Sequence, residues 1–301
     1  MNGILIIDKP KNFTSFDVIA VLRKTLKIKK IGHTGTLDPM ATGVLPILLG
    51  SATKIQALIP DNDKEYIAKF QLGKTTDTLD ITGKIILETE SHVKKEELLG
   101  ILKNFKGNIK QIPPMYSAVQ KNGVRLYDLA RKGIEIERET RPVTIYKLEL
   151  LGFDENSQEG ELFVSCSKGT YIRSLCDDIG KMLGCGAVLT ELRRTKACNF
   201  DLSSSISLEK AKELASENKI SEKIIPIDKI FDHYEKIKIS EAQATRFKNG
   251  GSLDLDRLKF KYIPKDEAII CVYDHEDIFL GLGKVNLDKN ELAIFRLLCS
   301  N

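Results

Sequence analysis

The sequence lacks the short motifs that mark the commoner cofactor and nucleophile chemistries. It has no G-x-x-x-x-G-K-[ST], no strand-linked G-x-G-x-x-G, no H-E-x-x-H and no G-x-S-x-G. Phosphate-cradling loops, zinc-protease helices and serine-hydrolase elbows are therefore set aside. Its six cysteines are scattered, with no C-x-x-C pair. Neither a zinc site nor a disulfide framework is indicated, and a reducing cytoplasm is the expected compartment. The four histidines, His33, His92, His233 and His275, lie far apart. No apolar run approaches the roughly 20 residues needed to cross a bilayer. The first such run, residues 4–7, is too short for a signal-peptide core and is closed by Asp8 and Lys9. Internal repeats and low-complexity tracts are missing too.

What remains is an ordinary globular composition, 42% hydrophobic and 29% charged over 301 residues, enough for one large domain and one small one. The net charge of +4 says little about partners. Its distribution says more, because Arg23, Lys24, Lys27, Lys29 and Lys30 form a run of cations without an acid. A run of this kind is usually a solvated helix end. Here it leads straight into a loop with a single carboxylate and no other formal charge, which makes a polyanionic substrate a fair competitor.

That loop, residues 32–46, reads GHTGTLDPMATGVLP. Three glycines and two prolines prevent a helix from propagating through it. Pro39 keeps Asp38 out of the α region, and the apolar residues 44–49 follow as a buried strand. A single carboxylate is thus held out on a stiff, irregular loop.

Around the loop the chain alternates strands, helices and hairpins. Residues 3–7 read as a short strand, and Thr14 or Ser15 caps a helix bearing Val18, Val21, Leu22 and Leu26 on one face. A helix over 51–59, a strand over 65–72, a polar turn over 75–83 and a helix over 94–105 follow. Pro113-Pro114 halts regular structure, and Asn122-Gly123 marks a hairpin turn. Residues 143–153 and 161–167 form an antiparallel pair. A helix spans 171–183, closed by Gly184, and another spans 207–215. Residues 226–231 read as a linker, and a small, mostly β unit follows from Lys236.

With metal-ligand spacings absent, the chemistry left is that of a carboxylate, a nearby histidine, cations and tyrosines. Such a set suits an anionic nucleophile or base working with no cofactor. Glycosidic-bond chemistry is the natural candidate. On composition alone, a two-carboxylate glycosidase with Asp77 or Asp80 as the second acid stays open.

Residues 32–46 resemble the signature loop of the TruB-type pseudouridine synthases, and further segments resemble that family's other motifs in order. They are GILIIDKP at 3–10, DKEY at 63–66 with TDTLDITG at 76–83, QIPPMYSA at 111–118, CSKGTYIR at 166–173, and GCGA with LRR at 184–194. The match runs in register over residues 2–200, and linked motifs are far more specific than one alone. Residues 232–301 are more loosely similar to a small PUA-type RNA-binding domain. The resemblance implies an α+β fold, with a mixed, largely antiparallel sheet, flanking helices and the small β-rich unit. The implied division is 1–230 and 231–301, with about 114–141 an insertion that closes over the RNA.

It further implies an enzyme that isomerises a uridine in the TΨC loop of tRNA at position 55, with no cofactor and no metal. Asp38 takes the place of the catalytic aspartate. Tyr66 would stack on the flipped-out base and help deprotonate or orient it, and Arg173 would pair with Asp38. His33 would help turn the base out, Asp80, Tyr171 and Leu192 would line its pocket, and Lys9 with Pro10 would support the loop from beneath. Lys121, Arg125 and Arg131 on the insertion would meet the T-arm. The expected partner is tRNA, with no membrane, no obligate protein partner and a monomeric state. Without the resemblance, Tyr66 and Tyr171 read as core aromatics, Arg173 as a salt-bridge partner and Lys9 as a snorkelling surface residue. Two other functions stay open, a guide-RNA-dependent synthase subunit and a non-catalytic tRNA-folding role.

Overall fold

The computed structural model describes residues 1–59 and 63–299. Two residues of the expected 231–301 unit, 300 and 301, and residues 60–62 of the expected 1–230 unit lie outside the described residues.

A ten-stranded sheet organises the chain. Its path runs Ile206–Ser207, Gly3–Lys9, Thr42–Leu49, Ala187–Ala197, Lys64–Leu72, Glu159–Cys166, Arg141–Asp154 and Gly107–Gln111. The pairings Ile7–Ile206 and Arg194–Gly43 are parallel, and the others along the path are antiparallel. The expected mixed, largely antiparallel sheet is what forms. Gly3–Lys9 shows why it is so heavily buried. Leu5 and Ile7 join the main core, while Ile4 and Ile6 join a second core on the other face. Strands covered on both sides read as continuous apolar runs rather than as alternating ones.

The helices Ser15–Leu26, Lys95–Leu102, Ile172–Met182 and Leu208–Ser216 flank this sheet. Thr14 caps the first through the Asp17 amide in a full capping box. The stretch expected as a helix over 51–59 is instead a 3-10 helix, Gly50–Leu58. It lacks a side-chain cap, and the Thr53 hydroxyl donates to the Gly50 carbonyl, competing with helical bonding. The hairpin expected at Asn122-Gly123 forms, with positive φ at both residues (53° and 80°).

A second, five-stranded sheet runs Glu235–Lys238, Ile269–Tyr273, Phe279–Asn286, Glu291–Leu297 and Leu253–Asp254. With the helix Glu241–Lys248 it makes the small PUA-like unit, whose interior holds Phe247, Leu280 and Leu292. The segment expected as a linker is packed structure. Ile227–Phe231 is a 3-10 helix, and Phe231 is fully buried among Ile4, Val44, Cys271 and Leu282. Apolar side chains from both sheets close over it, so the join is a shared core.

Gly43 and Gly100 test this packing in opposite directions. Gly43 has φ +104°, and a Cβ there would drive into the backbone of Arg194. Gly43→Ala should lose about 2 kcal/mol or more in urea denaturation. Gly100 sits in the helix Lys95–Leu102 with nothing within 4 Å of a built Cβ. Gly100→Ala should gain about 0.5–1 kcal/mol.

Candidate active site

The loop carrying Asp38 is fixed from three directions. Asp38-Pro39-Met40-Ala41 closes as a β-turn, with the Ala41 amide donating to the Asp38 carbonyl at 3.0 Å. Proline at its second position pre-sets the backbone for such a turn. Leu37 and Met40, on either side, are buried in the main core. Ser15 Oγ takes the Leu37 amide at 2.9 Å. From beneath, Lys9 Nζ donates to the carbonyls of Phe13 (2.5 Å), Pro10 (2.9 Å) and Pro39 (3.3 Å). Lys9 is completely buried, so it is not a snorkelling surface residue. Burial brings its ammonium down to about 8, with the Asp38 charge opposing.

Arg173 comes from the first turn of the helix Ile172–Met182 and is 5% exposed. Its Nε lies 3.0 Å from Asp38 Oδ2 and its Nη2 3.2 Å from Asp38 Oδ1, a bidentate pair. Nη1 donates to the Thr78 carbonyl at 2.9 Å and stands 3.7 Å from Asp80 Oδ2, while Nη2 also donates to the Tyr116 carbonyl at 2.8 Å. Asp80 is itself held, with Oδ1 accepting from Thr78 Oγ1 (2.8 Å), Thr82 N (3.0 Å) and Thr82 Oγ1 (2.5 Å). The turn that carries it is pinned to the strand Ala187–Ala197 by the Ile81 amide on the Leu189 carbonyl.

These groups border a cavity of about 580 Å³, lined by Asp38, Tyr66, Tyr171, Arg173 and Leu192 together with Thr34–Thr36, Gln56, Lys64, Ser117 and Lys168–Thr170. Its size lies within the range of about 300–1,000 Å³ usual for small-ligand sites. Of the residues named from sequence, His33, Asp80 and Lys9 stand behind this wall rather than on it. Asp80 backs Arg173, Lys9 backs the loop, and His33 ends the short strand Ile31–His33. Burial and the nearby Arg194 charge hold the His33 pKa below its ordinary value, which favours the neutral ring.

Tyr66 belongs to the buried face of Lys64–Leu72. Burial pushes its phenol up to about 12, so it keeps its proton at neutral pH. Tyr171 caps the Arg173 helix, and the Gln111 amide grips its backbone on both sides, at 3.0 and 3.1 Å.

Lys121, Arg125 and Arg131 lie on a separate, exposed element built from the hairpin and the short helix Leu126–Ala130. Arg125 donates to the Tyr127 hydroxyl at 2.8 Å, both arginines lie over the Tyr127 ring, and Lys121 donates to the Glu137 carbonyl. None of the three lines the cavity, although Ser117 and Ala118 at the root of that element do.

Two cations at the cavity have no role in the sequence reading, the half-buried Lys64 on its wall and Arg194 behind it. Arg194 is completely buried. The signal for it was present. Along Ala187–Ala197, Leu192 and Arg194 share a face by the two-residue period, while Arg193 turns away to Asp8 at 2.8 Å.

Two family models cover this chain, the TruB family pseudouridylate synthase N-terminal domain over residues 23–172 and the tRNA pseudouridylate synthase B C-terminal domain over 173–232. The tRNA pseudouridine synthase B of Clostridium tetani is 51% identical over 299 residues, covering 99% of this chain and 100% of that one.

The chain belongs to the TruB family of pseudouridylate synthases.

A Clostridium acetobutylicum member is 45% identical over 298 residues, with 99% and 100% covered. Among solved structures, a chain of a Cbf5-Nop10-Gar1 complex aligns with TM-score 0.73 and 27% identity, over 99% of this chain and 85% of that chain. The first family model ends at Tyr171 and Ile172, and the second begins at Arg173. The Asp38–Arg173 pair therefore joins the two matched regions.

Asp38 tests the electrostatics of the pair. Burial raises its pKa above the ordinary aspartate value, and Arg173 is the largest influence holding it down, with Lys9 adding and Asp80 opposing. Removing Arg173 removes a charge that favours the ionised form, so the titration must move to higher pH. Arg173→Met should make Asp38 about tenfold or more the weaker acid, read from the side-chain carboxyl resonance in a ¹³C NMR titration. A midpoint that stays in place would mean the pair does not govern Asp38.

Proposed function

We propose that this protein converts uridine to pseudouridine at position 55 in the T loop of tRNA, with Asp38, Tyr66 and Arg173 as the catalytic residues. The observation that carries this reading is the bidentate Arg173–Asp38 pair on the wall of a cavity shared with Tyr66. In the net reaction the N1–C1′ bond breaks, a C5–C1′ bond forms, C5 loses a proton and N1 gains one. Nothing is oxidised, and no outside group is needed.

Asp38, ionised and aimed by Arg173, stabilises or attacks the electron-poor centre that forms as the glycosidic bond yields. The target base has to leave its stack to reach this cavity. There Tyr66 stacks on it, Tyr171 and Leu192 bound it, and His33 helps to displace it from the loop. Asp80 keeps Arg173 in place and Lys9 keeps the Asp38 turn in place. We assign residues 1–230 to the catalytic unit and 231–301 to an RNA-binding unit, and the working compartment to the cytoplasm. The six cysteines, all free, suit that compartment.

An unmodified tRNA transcript incubated with the purified chain should acquire pseudouridine at position 55, mapped at nucleotide resolution. Asp38→Asn should retain less than about 1% of that turnover while holding tRNA with nearly unchanged affinity. Activity that appears only with added guide RNA would support the subunit alternative instead. Full rescue of a deletion phenotype by Asp38→Asn would point to the tRNA-folding role.

Lys121, Arg125 and Arg131 are assigned to the T-arm contact, which the exposure of their element supports. Counterion release makes phosphate contacts salt-dependent, with a slope of about −0.9 per phosphate neutralised on duplex and about −0.7 on single strands. Replacing all three by Ala should weaken tRNA binding and flatten log K against log salt by roughly 2. The single-turnover rate at saturating tRNA should change far less. Unchanged affinity and slope would move the contact elsewhere, with the run Arg23–Lys30 next in line.

A further inference from the structure

Arg194 is a fully buried guanidinium with no carboxylate partner among the described residues. A bare buried charge is expensive unless its donors are satisfied. Its acceptors are informative. Nε donates to the Val44 carbonyl at 2.7 Å, Nη2 to the Gly35 carbonyl at 3.2 Å and Nη1 to the Thr36 carbonyl at 3.5 Å. Gly35 and Thr36 line the cavity and lie three and two residues before Asp38. Arg194 is also the direct cross-strand partner of Tyr66, so the two side chains stand side by side on one face of the sheet, and the Arg194 charge draws the Tyr66 phenol toward ionisation. One side chain therefore touches both the loop that holds Asp38 and the aromatic that faces the base.

We propose that Arg194 is a positioning residue for the isomerisation, holding the Tyr66 phenol oxygen and acting as counter-ion when that phenol gives up its proton. The inference rests on the assignment of Tyr66 above. In the net reaction N1 gains a proton and C5 loses one. Tyr66 keeps the balance if it lends its proton to the uracil released from C1′ and regains one from C5 after the new bond forms. The phenolate in between needs a nearby cation. The charged or titratable groups acting on Tyr66 are Arg194, Cys166 and Asp38, and Arg194 alone favours ionisation. Burial opposes ionisation most strongly, and Arg194 is the main influence against it.

The test is a double-mutant cycle read in single-turnover pseudouridine formation on unmodified tRNA. Arg194→Met should slow the wild-type enzyme by about 100-fold or more, with tRNA affinity changed by less than about threefold. In a Tyr66→Phe background the same substitution should cost less than about threefold, since the group it serves is gone. Equal losses in both backgrounds would make Arg194 a brace for the Gly35–Thr36 loop alone and overturn the proposal. Arg194→Lys keeps the charge and provides the comparison if the Met variant does not fold. The second readout places fluorotyrosine at position 66, whose more acidic phenol titrates where the fold survives, and follows it by ¹⁹F NMR. Its midpoint should rise by about one pH unit or more in Arg194→Met, and an unmoved midpoint overturns the proposal. Unimpaired turnover in Tyr66→Phe by itself would instead remove Tyr66 from the catalytic set, a separate failure.

Discussion

The site depends on how one guanidinium is satisfied. Every nitrogen of Arg173 has an acceptor, supplied by Asp38, Asp80 and the carbonyls of Thr78 and Tyr116. These acceptors come from three chain segments that are remote in sequence. A buried ion pair of this kind is poor evidence for stability, because desolvation offsets most of the Coulomb gain. Its effect is on geometry. With the fork filled, the Asp38 carboxylate has one orientation, and the segments 36–41, 76–82 and 113–118 must sit where Arg173 allows. Removing any one acceptor leaves a charge in low dielectric, so the arrangement behaves as a unit.

Around that pair the charges are dense. Arg173, Arg194, Lys9 and Lys64 stand with Asp38 and Asp80, and Asp17 and Asp63 act on the two lysines. Burial depresses Lys9 and Lys64, and Arg194 lowers both further. Burial is the larger cause of both shifts and the Arg194 charge the smaller, and an anion arriving beside the two lysines would favour their charged forms. Phosphates flanking a target nucleotide, or a pyrimidine carrying the electrons of a broken glycosidic bond, would both be stabilised here.

Much of this was legible in the sequence, and the limits have physical causes. Gly, Pro and a lone carboxylate in residues 32–46 announced a stiff loop, because backbone restriction is local. The capping box at Thr14 and the Asn122-Gly123 turn were legible for the same reason. Residues 226–231 misled, since Pro226 suggests a connection and nothing local shows that Phe231 meets a second sheet. Residues 187–197 were read as motif rather than strand. Its pairing with Lys64–Leu72 spans more than a hundred residues of sequence, and only that pairing turns Arg194 inward. Asp80 was expected on the pocket wall, and it instead backs Arg173 from outside the cavity lining. Sequence proximity to a motif carries no information about which shell a side chain joins.

The position of the cavity follows from the sheet. Thr42–Leu49 and Ala187–Ala197 are parallel neighbours, but they are in register only at Arg193–Thr42 and Arg194–Gly43. Just beyond those two pairs the Arg194 side chain takes over the contact, donating from Nε to the Val44 carbonyl at 2.7 Å. Gly43 is what lets them touch at all, since a side chain there would strike the Arg194 backbone. The loop bearing Asp38 leads into one strand at this seam, Leu192 and Arg194 lie on the other, and Tyr66 stands opposite Arg194 on the next. The chemistry therefore sits at a seam that two residue pairs hold in register, and the buried arginine at that point is part of both the fold and the site.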